Sequence, residues 1–199
     1  MNNLLLEIGV EDIPSVYLQG WLEDKGYTLR DLVKEEFLRF RLCVKDEHIS
    51  VFLTNRRIAF KIDGVPAKAE DVVEQISGPA KEAAFDAAGK PTKALEGFLR
   101  SKGGTIEQLK EIQKANRTYV CLERALPGAA ASELLPQIFS GIIPRITFPK
   151  TMRWDGSDKA FVRPLRWILA LYQDKKISFT YAGVKSGNAT YGHRFYTRN

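Results

Sequence analysis

The residue types best suited to contact a nucleic acid cluster in one segment, Ile146 to Trp167, which reads ITFPKTMRWDGSDKAFVRPLRW. Cations release counterions when they contact phosphates, and aromatic faces stack on unpaired bases. The segment is therefore a candidate nucleic-acid interface, although aromatic residues beside cations are also common where a core meets a solvated rim. Its cations and aromatic residues are Lys150, Arg153, Lys159, Arg163, Arg166, Phe148, Trp154, Phe161 and Trp167.

The positive charge of the chain is concentrated near its C-terminal end. Residues 145–199 contain 11 Lys and Arg against 3 Asp and Glu, a net charge of +8, whereas the whole chain carries +6. Residues 1–144 together therefore carry −2. With a pI near 9.3, this distribution favours an acidic partner, and nucleic acid first. An anionic membrane surface is a weaker alternative because the sequence has no basic amphipathic helix to lie on it.

Two further basic pairs are candidates for contact with RNA. Arg56 and Arg57 are adjacent, and adjacent residues of a strand point to opposite faces. One of them could face RNA while the other forms a salt bridge, but a solvated arginine pair at a turn is the simpler interpretation. His193 and Arg194 lie in the sequence GHRF, where His193 is either a stacking group for a base or a structural side chain.

The sequence contains no recognisable catalytic or metal-binding motif. Its two histidines and two cysteines are far apart, whereas zinc sites use closely spaced ligand pairs. The sequence has no phosphate-binding loop, nucleophile elbow or dinucleotide-binding glycine motif. We therefore expect no catalytic residue and no metal site in this chain. His193 is disfavoured as a catalytic base because no nucleophile or neighbouring carboxylate accompanies it.

The cysteines and the apolar segments predict a cytoplasmic protein. Cys43 and Cys121 lie in apolar, strand-like contexts, so we expect both to be buried as small hydrophobic residues rather than joined in a disulfide. The apolar run Leu4–Leu6 is too short for a signal peptide and has no basic region before it. No segment approaches the length of a transmembrane helix.

Hydrophobic periodicity predicts mixed strands and helices in the first part of the chain. Thr28 is the predicted N-cap of one helix, and two acids before Pro14 mark the start of another. A hairpin turn is expected at 46–47 because alternating apolar runs flank it. The predicted strands are Asn3–Gly9, Arg41–Lys45, His48–Leu53, Ile58–Ile62 and Val72–Ile76, and the predicted helices cover about Ile13 to Asp24 and Leu29 to Arg41.

The remaining elements follow no regular strand–helix–strand alternation. The predicted fold class is therefore α+β, with mixed helices and mostly antiparallel strands in one domain or two small subdomains. The predicted division is an N-terminal subdomain over 1–63, a connecting segment over 64–91 and a second subdomain over 92–199. The predicted helices here are Lys93–Lys102, Ile106–Lys110 and Ala130–Ser140, and the strands or apolar elements are Arg117–Arg124, Phe161–Arg163, Leu165–Tyr172 and Ile177–Tyr181.

Five blocks of sequence occur in an order that is typical of one protein family. The blocks are EIGVEDIP (Glu7–Pro14), TNRRIAFKI (Thr54–Ile62), GPAKEAAFDAAGKPTKALEGF (Gly78–Phe98), FPKTMRWDGSDKAFVRPLRWILAL (Phe148–Leu171) and GHRF (Gly192–Phe195). With these blocks, the chain resembles the N-terminal portion of the β subunit of the bacterial two-subunit glycyl-tRNA synthetase over nearly its whole length. Asn55 departs from the family pattern, which has a small residue and a proline before the double arginine.

The resemblance implies a role in an ATP-dependent glycine–tRNA ligase. In this family the α subunit carries the catalytic core that makes glycyl-adenylate from ATP, with Mg²⁺, and glycine. The β subunit is needed for charging and mainly holds the tRNA. The implied partners are therefore the α subunit and glycine tRNA, in an α2β2 heterotetramer, and not DNA or a membrane. The 199-residue chain alone is expected to be inactive and to bind no cofactor of its own.

Two functional hypotheses follow for residues 145–199, the basic quarter of the chain. In the first, cations neutralise tRNA phosphates, and Trp154 or His193 stacks on an unpaired base. In the second, the same segment is a non-catalytic scaffold that docks the α subunit without direct tRNA contact, since interfaces favour Trp, Arg, Phe and Met. The candidate tRNA-binding residues are Arg56, Arg57, Lys150, Arg153, Trp154, Lys159, Arg163, Arg166, His193 and Arg194.

Overall fold

The computed structural model describes residues 2–22, 27–86, 89–114 and 117–192. The chain divides into two compact units: the first joins Met1–Ala69 to Ala129–Asn199, and the second is Glu70–Gly128. The described helices are α1 (Ser15–Leu22), α2 (Leu29–Arg39), α3 (Lys81–Ala84), α4 (Lys93–Lys102) and α5 (Ala131–Arg145). The described strands are β1 (Leu4–Val10), β2 (Ile49–Thr54), β3 (Arg57–Ile62), β4 (Val72–Ala80), β5 (Leu109–Lys114), β6 (Arg117–Leu126), β7 (Leu165–Tyr172), β8 (Lys175–Lys176), β9 (Thr180–Tyr181) and β10 (Val184–Gly187).

The first unit is built on a mixed sheet with β1 at its centre. The strand order is β2-β3-β1-β7-β10-β9, and β8 pairs with β7. β1 is antiparallel to both of its neighbours, with Leu6 opposite Phe60 of β3 and Ala170 of β7. The pairing of β10 with β7 is parallel, and the other pairings are antiparallel. The predicted α+β class with mostly antiparallel strands is confirmed.

One face of this sheet shares a core with helices α2 and α5. Side chains of a strand alternate between faces, so Leu6 and Ile8 of β1 lie on the same side of the sheet. Both are fully buried and belong to one cluster with Phe60 of β3, Phe37 of α2 and Phe139 of α5. Burying each such side chain contributes about 1.5–3 kcal/mol, so this cluster is the main source of stability of the first unit.

Helix α2 begins where the sequence predicts, because Thr28 and Asp31 form a reciprocal cap. The Thr28 hydroxyl accepts a hydrogen bond from the Asp31 backbone N–H at 3.2 Å, and the Asp31 carboxylate accepts one from the Thr28 N–H at 2.8 Å. These bonds satisfy two donors that a helix start leaves without partners. The hydrogen bonds from Thr28 lower the pKa of Asp31 below its usual value.

A buried carboxylate lies between helices α2 and α5. The Glu36 side chain is 2% exposed and lies 2.9 Å from the guanidinium of Arg39 and 3.0 Å from that of Arg145. Gly141 of α5 gives it room, since a Cβ added there would lie 2.1 Å from Glu36 Oε1. Helix α5 continues through Gly141 to Arg145 and packs on α2. The predicted end of this helix at Ser140 is wrong for that reason.

Tyr27 and Glu35 extend this polar contact toward solvent. The Tyr27 hydroxyl donates to Glu35 at 2.8 Å and accepts from Arg145 at 2.7 Å. Burial and the carboxylate of Glu35 raise the pKa of Tyr27 to about 12. Hydrogen bonds from Arg145 and Tyr27 lower the pKa of Glu35, so the stability that Glu35 contributes is present above its unfolded pKa and is lost as the pH falls through its folded pKa.

The second unit is a three-stranded antiparallel sheet with helices α3 and α4. The strand order is β4-β6-β5. Its core contains Leu95 and Leu99 of α4 with Val120 and Leu122 of β6. Helix α4 ends at Gly103, whose φ of 66° lies in the left-handed region that glycine adopts without strain. This helix has the bounds that the sequence predicts, Lys93–Lys102.

The predicted division into 1–63, 64–91 and 92–199 does not coincide with the two units. Because β7 pairs with β1, residues 129–199 lie in the same unit as residues 1–69. The pairing joins strands about 160 positions apart, and hydrophobic periodicity carries no information about which distant strands pair. Residues 70–128 form a unit of their own between these two segments.

Several local predictions are corrected by the structure. Arg41–Lys45 is not a strand, because Arg41 adopts a left-handed φ of 59° after α2 and β2 pairs with β3 instead. Cys43 is consequently exposed, whereas Cys121 is buried as predicted. After the cap at Thr105, the predicted helix is a single turn, and the chain continues as strand β5.

Two shorter predictions are also corrected. Phe161 forms an isolated bridge with Met152 rather than a strand, and in the predicted strand Ile177–Tyr181 only the last two residues pair, as β9. Within the described part of the chain, no helix is long and apolar enough to cross a membrane.

Replacing Gly141 by alanine tests the packing of α5 on α2. In Gly141→Ala the added methyl group displaces the Glu36 carboxylate from Arg39 and Arg145, and we expect the free energy of unfolding to fall by about 1–3 kcal/mol. Urea denaturation followed by circular dichroism measures the change. Gly20→Ala in α1 is the control, because a Cβ there meets no atom within 4 Å, and it should raise stability by about 0.5–1 kcal/mol. Equal effects of the two substitutions would contradict this account of Gly141.

Candidate nucleic-acid interface

Residues 147–164, which we call the basic loop, connect helix α5 to strand β7 and are ordered by an internal backbone bridge and a packed aromatic pair. Met152 and Phe161 exchange backbone hydrogen bonds of 2.8 and 3.1 Å. The Phe161 ring is 1% exposed and packs edge-on against Phe148, with ring centroids 5.5 Å apart. The aromatic residues Phe148 and Phe161 therefore hold the loop rather than face a ligand.

A tight turn at the tip of the basic loop positions Lys159. The Asp155 carboxylate accepts hydrogen bonds from the Ser157 hydroxyl at 2.7 Å and from its backbone N–H at 3.1 Å. These bonds lower the pKa of Asp155, which keeps the carboxylate charged. The Lys159 ammonium lies 4.5 Å from the ring centroid of Tyr181, a cation–π geometry, and burial raises the pKa of the Tyr181 phenol.

Three cations of the basic loop remain exposed to solvent. Lys150, Arg153 and Lys159 are all exposed, and within the described residues none of them forms an ion pair with an acid. Trp154, between them, is half-buried and packs against the core of the first unit. The structure thus leaves the three cations accessible, whereas part of the Trp154 side chain packs against the core.

Two other arginines of the predicted site, Arg163 and Arg166, contact backbone carbonyls or a carboxylate of the protein. The Arg163 guanidinium donates to the backbone carbonyl of Asp12 at 3.1 Å and to that of Val162 at 2.9 Å. Arg166 lies 3.2 Å from the Glu11 carboxylate, although 60% of its side chain is exposed. Arg163 therefore positions the loop before β7.

A buried carboxylate at the centre of the sheet, Glu7, organises a second polar cluster in the first unit. Glu7 of β1 is 6% exposed, and its Oε1 accepts hydrogen bonds from Trp167 Nε1 at 2.7 Å and from the Thr190 hydroxyl at 2.6 Å. The Nε of Arg57 lies 3.2 Å from the same oxygen. One carboxylate therefore ties together β1, β3, β7 and the segment after β10. The only sequence signal for it is a single acid in an apolar strand.

Trp167 lies flat on β1 because Gly9 has no side chain. The two residues are opposite each other in the β1–β7 pairing, and a Cβ on Gly9 would lie 2.1 Å from the indole ring. The Arg57 guanidinium is 5.8 Å from the Trp167 ring centroid. The Tyr191 ring packs at 61° to Trp167 with centroids 5.1 Å apart, and Arg57 donates to the Tyr191 carbonyl.

A groove of about 430 Å³ opens beside this cluster. The Nε atoms of Arg56 and Arg57 are buried without a hydrogen bond in the described part of the chain. Each Nε atom still lies within ion-pair distance of a carboxylate. The Arg56 Nε is 3.4 Å from the Asp12 carboxylate, and the Arg57 Nε is 3.2 Å from that of Glu7. We call this groove of about 430 Å³ the aromatic groove. The described residues that line it are Asp12, Thr54, Asn55, Arg56, Arg57, Trp167, Tyr191 and Gly192.

Two predicted site residues, His193 and Arg194, lie outside the described residues. Sequence reasoning missed Glu7, Thr190 and Tyr191, whose roles depend on strand pairing rather than on a motif. Within the described residues, no group of three or more His, Cys, Asp or Glu side chains is arranged to hold a metal ion.

Comparison with known proteins gives the family. Residues 4–199 match the family model described as glycyl-tRNA synthetase beta subunit. The chain is 38% identical over 194 residues to the glycine–tRNA ligase beta subunit of Syntrophus aciditrophicus, and 39% identical over 193 residues to that of Desulforudis audaxviator. The chain therefore belongs to the glycyl-tRNA synthetase beta subunit family.

The alignment covers nearly all of this chain but a small part of its relatives. The matches to the Syntrophus and Desulforudis proteins cover 98% and 97% of the chain and 27% of each relative. The beta subunit of Thermotoga neapolitana is 34% identical over 197 residues, which cover 99% of the chain and 28% of that protein. The chain thus spans about a quarter of the length of the curated relatives it matches, and the resemblance stated from the sequence blocks is confirmed.

Replacing Glu7 tests the central contact. Glu7→Leu leaves Trp167 Nε1, the Thr190 hydroxyl and Arg57 without their shared acceptor. We expect the free energy of unfolding to fall by about 3 kcal/mol, because removing one partner of a buried ion pair costs ~3–5 kcal/mol and Arg57 stays partly solvated. Urea denaturation measures this change in the free energy of unfolding. Glu11→Leu, which removes the exposed pair with Arg166, should change stability by less than about 1 kcal/mol. A loss for Glu7→Leu no larger than for Glu11→Leu would refute the central role.

Proposed function

We propose that this chain is the N-terminal part of the β subunit of a cytoplasmic glycine–tRNA ligase and that it binds and positions glycine tRNA. Glycyl-adenylate formation from ATP, with Mg²⁺, and glycine belongs to the α subunit in this proposal. The observation that carries the proposal is the exposure of Lys150, Arg153 and Lys159 on an anchored loop.

The distribution of charge between the two units supports this assignment. The second unit, Glu70–Gly128, contains nine Lys and Arg and nine Asp and Glu, so it has no net charge. The whole excess of +6 therefore lies in the first unit, which also contains the basic loop. Phosphate contacts supply most of the affinity for a nucleic acid and fix its position.

The anchoring of the basic loop supports positioning as its contribution to catalysis. The Met152–Phe161 bridge and the turn at Asp155 restrict the loop before any ligand binds. A loop that is already ordered loses less conformational entropy on binding than a flexible one. Holding the acceptor end of a tRNA in a fixed place lowers the barrier of a reaction that another subunit carries out.

Docking of the α subunit is the second candidate function, and one observation favours it. On the sheet face opposite α2 and α5, Phe52 of edge strand β2 is 55% exposed, and Leu5 and Leu171 are half-buried. Exposed aromatic side chains are enriched at protein interfaces. Phe52, Leu5 and Leu171 lie outside the basic loop, so the two functions can be tested by separate substitutions.

Neutralising the basic loop tests tRNA binding. In the two-subunit enzyme, Lys150→Ala with Arg153→Ala should weaken binding of glycine tRNA and reduce the slope of log affinity against log salt by about two, one for each lost phosphate contact. Fluorescence anisotropy over a salt series measures both quantities.

The matched control for this experiment is Arg100→Ala with Lys102→Ala. These exposed residues at the end of α4 remove the same charge from the second unit, and the salt slope should not change. An unchanged slope in the Lys150 and Arg153 variant would exclude these phosphate contacts. If the variant instead failed to co-purify with the α subunit, the basic loop would be assigned to the subunit interface.

A further inference from the structure

We propose that the aromatic groove binds the base of one unpaired nucleotide of the tRNA, stacked on Tyr191. This inference rests on the proposed function and adds a recognition site that is distinct from the phosphate-contacting basic loop. The groove volume, about 430 Å³, lies within the range of roughly 300–1,000 Å³ that is usual for small-molecule sites. Such sites combine aromatic walls with a few polar groups that fix orientation.

Tyr191 presents an aromatic face that the protein holds in place without burying it. The residue is 50% exposed, yet its ring packs against Trp167, and its carbonyl accepts a hydrogen bond from Arg57. The preceding residue, Thr190, is held by Glu7. Exposed aromatic side chains fixed from behind are the platforms on which single-stranded nucleic acids stack.

The polar groups of the aromatic groove are suited to the edge of a base. Asn55 is exposed and lines the groove, and its side-chain amide has no partner among the described residues. An amide offers both donors and an acceptor, which is the pattern that base edges require. Arg56 carries five N–H donors and contacts one carboxylate, Asp12, so donors remain for a ligand.

The charge of the groove favours a base over a phosphate. Arg56 is paired with Asp12 and Arg57 with Glu7, so each cation of the groove already has an anionic neighbour. A phosphate placed there would meet the carboxylate of Asp12 as well as the guanidinium groups. Stacking and amide hydrogen bonds do not depend on excess positive charge, and they are little affected by salt.

The inference predicts a loss of tRNA affinity without a change in salt dependence. In the two-subunit enzyme, Tyr191→Ala should weaken binding of glycine tRNA by about tenfold, with the slope of log affinity against log salt unchanged. Tyr191→Phe keeps the ring and should bind within twofold of the unmodified enzyme. Asn55→Ala, at an exposed position, should weaken binding by a smaller factor and serves as a second variant if Tyr191→Ala lowers stability.

Ultraviolet cross-linking supplies an independent measurement. Irradiation of the complex with glycine tRNA, followed by protease digestion and mass spectrometry, should give a nucleotide adduct on the peptide that contains Tyr191. Absence of that adduct together with binding of Tyr191→Ala and Asn55→Ala within twofold of the unmodified enzyme would overturn the inference. A loss of affinity accompanied by a lower salt slope would also overturn it, because the groove would then bind phosphate.

The two proposals fail in different ways. If neutralising Lys150 and Arg153 lowers the salt slope while the Tyr191 and Asn55 variants bind normally, the basic loop binds tRNA and the aromatic groove does not. If all of these variants bind tRNA like the unmodified enzyme, both proposals are wrong, and the first unit is left with the docking of the α subunit.

Discussion

The first unit depends on the pairing of β1 with one strand that precedes the second unit in the chain and one that follows it. β1 lies between β3 and β7, and Glu7 at its centre is a charged group in an otherwise apolar strand. A buried carboxylate is tolerated only when hydrogen bonds and an opposite charge compensate its lost hydration. Trp167, Thr190 and Arg57 provide these contacts. The same group thus links the core of the sheet to the walls of the aromatic groove.

Much of the local structure could be predicted from the sequence, because it depends on neighbouring residues. The cap at Thr28 and the bounds of α4 follow from short patterns, and the α+β class follows from the mixture of periodicities. The pairing of β1 with β7 could not be predicted, since it joins residues such as Leu6 and Ala170 that no local pattern connects. The unit boundaries, and therefore the place of residues 70–128, depend on that pairing.

Counting cations identified the basic region but could not separate its members by role. Arg163 holds backbone carbonyls and Arg166 pairs with the Glu11 carboxylate, whereas Lys150 and Arg153 are exposed. In the sequence these residues look alike, because their roles differ only in what the fold places beside them. An arginine is well suited to both uses, since its planar group can bond carbonyls, carboxylates and phosphates.

The discontinuous first unit has a consequence for synthesis of the protein. About 100 residues separate the end of β3 from the start of β7, so at roughly 5–20 residues per second β1 waits about 5–20 s for its second neighbour. During that interval one edge of an apolar strand is open to pairing with other nascent chains. The second unit has a core of its own and is complete by Gly128, before β7 exists. The inserted unit, Glu70–Gly128, supplies more than half of the residues in this interval, so its length contributes most to how long the growing chain is vulnerable to aggregation.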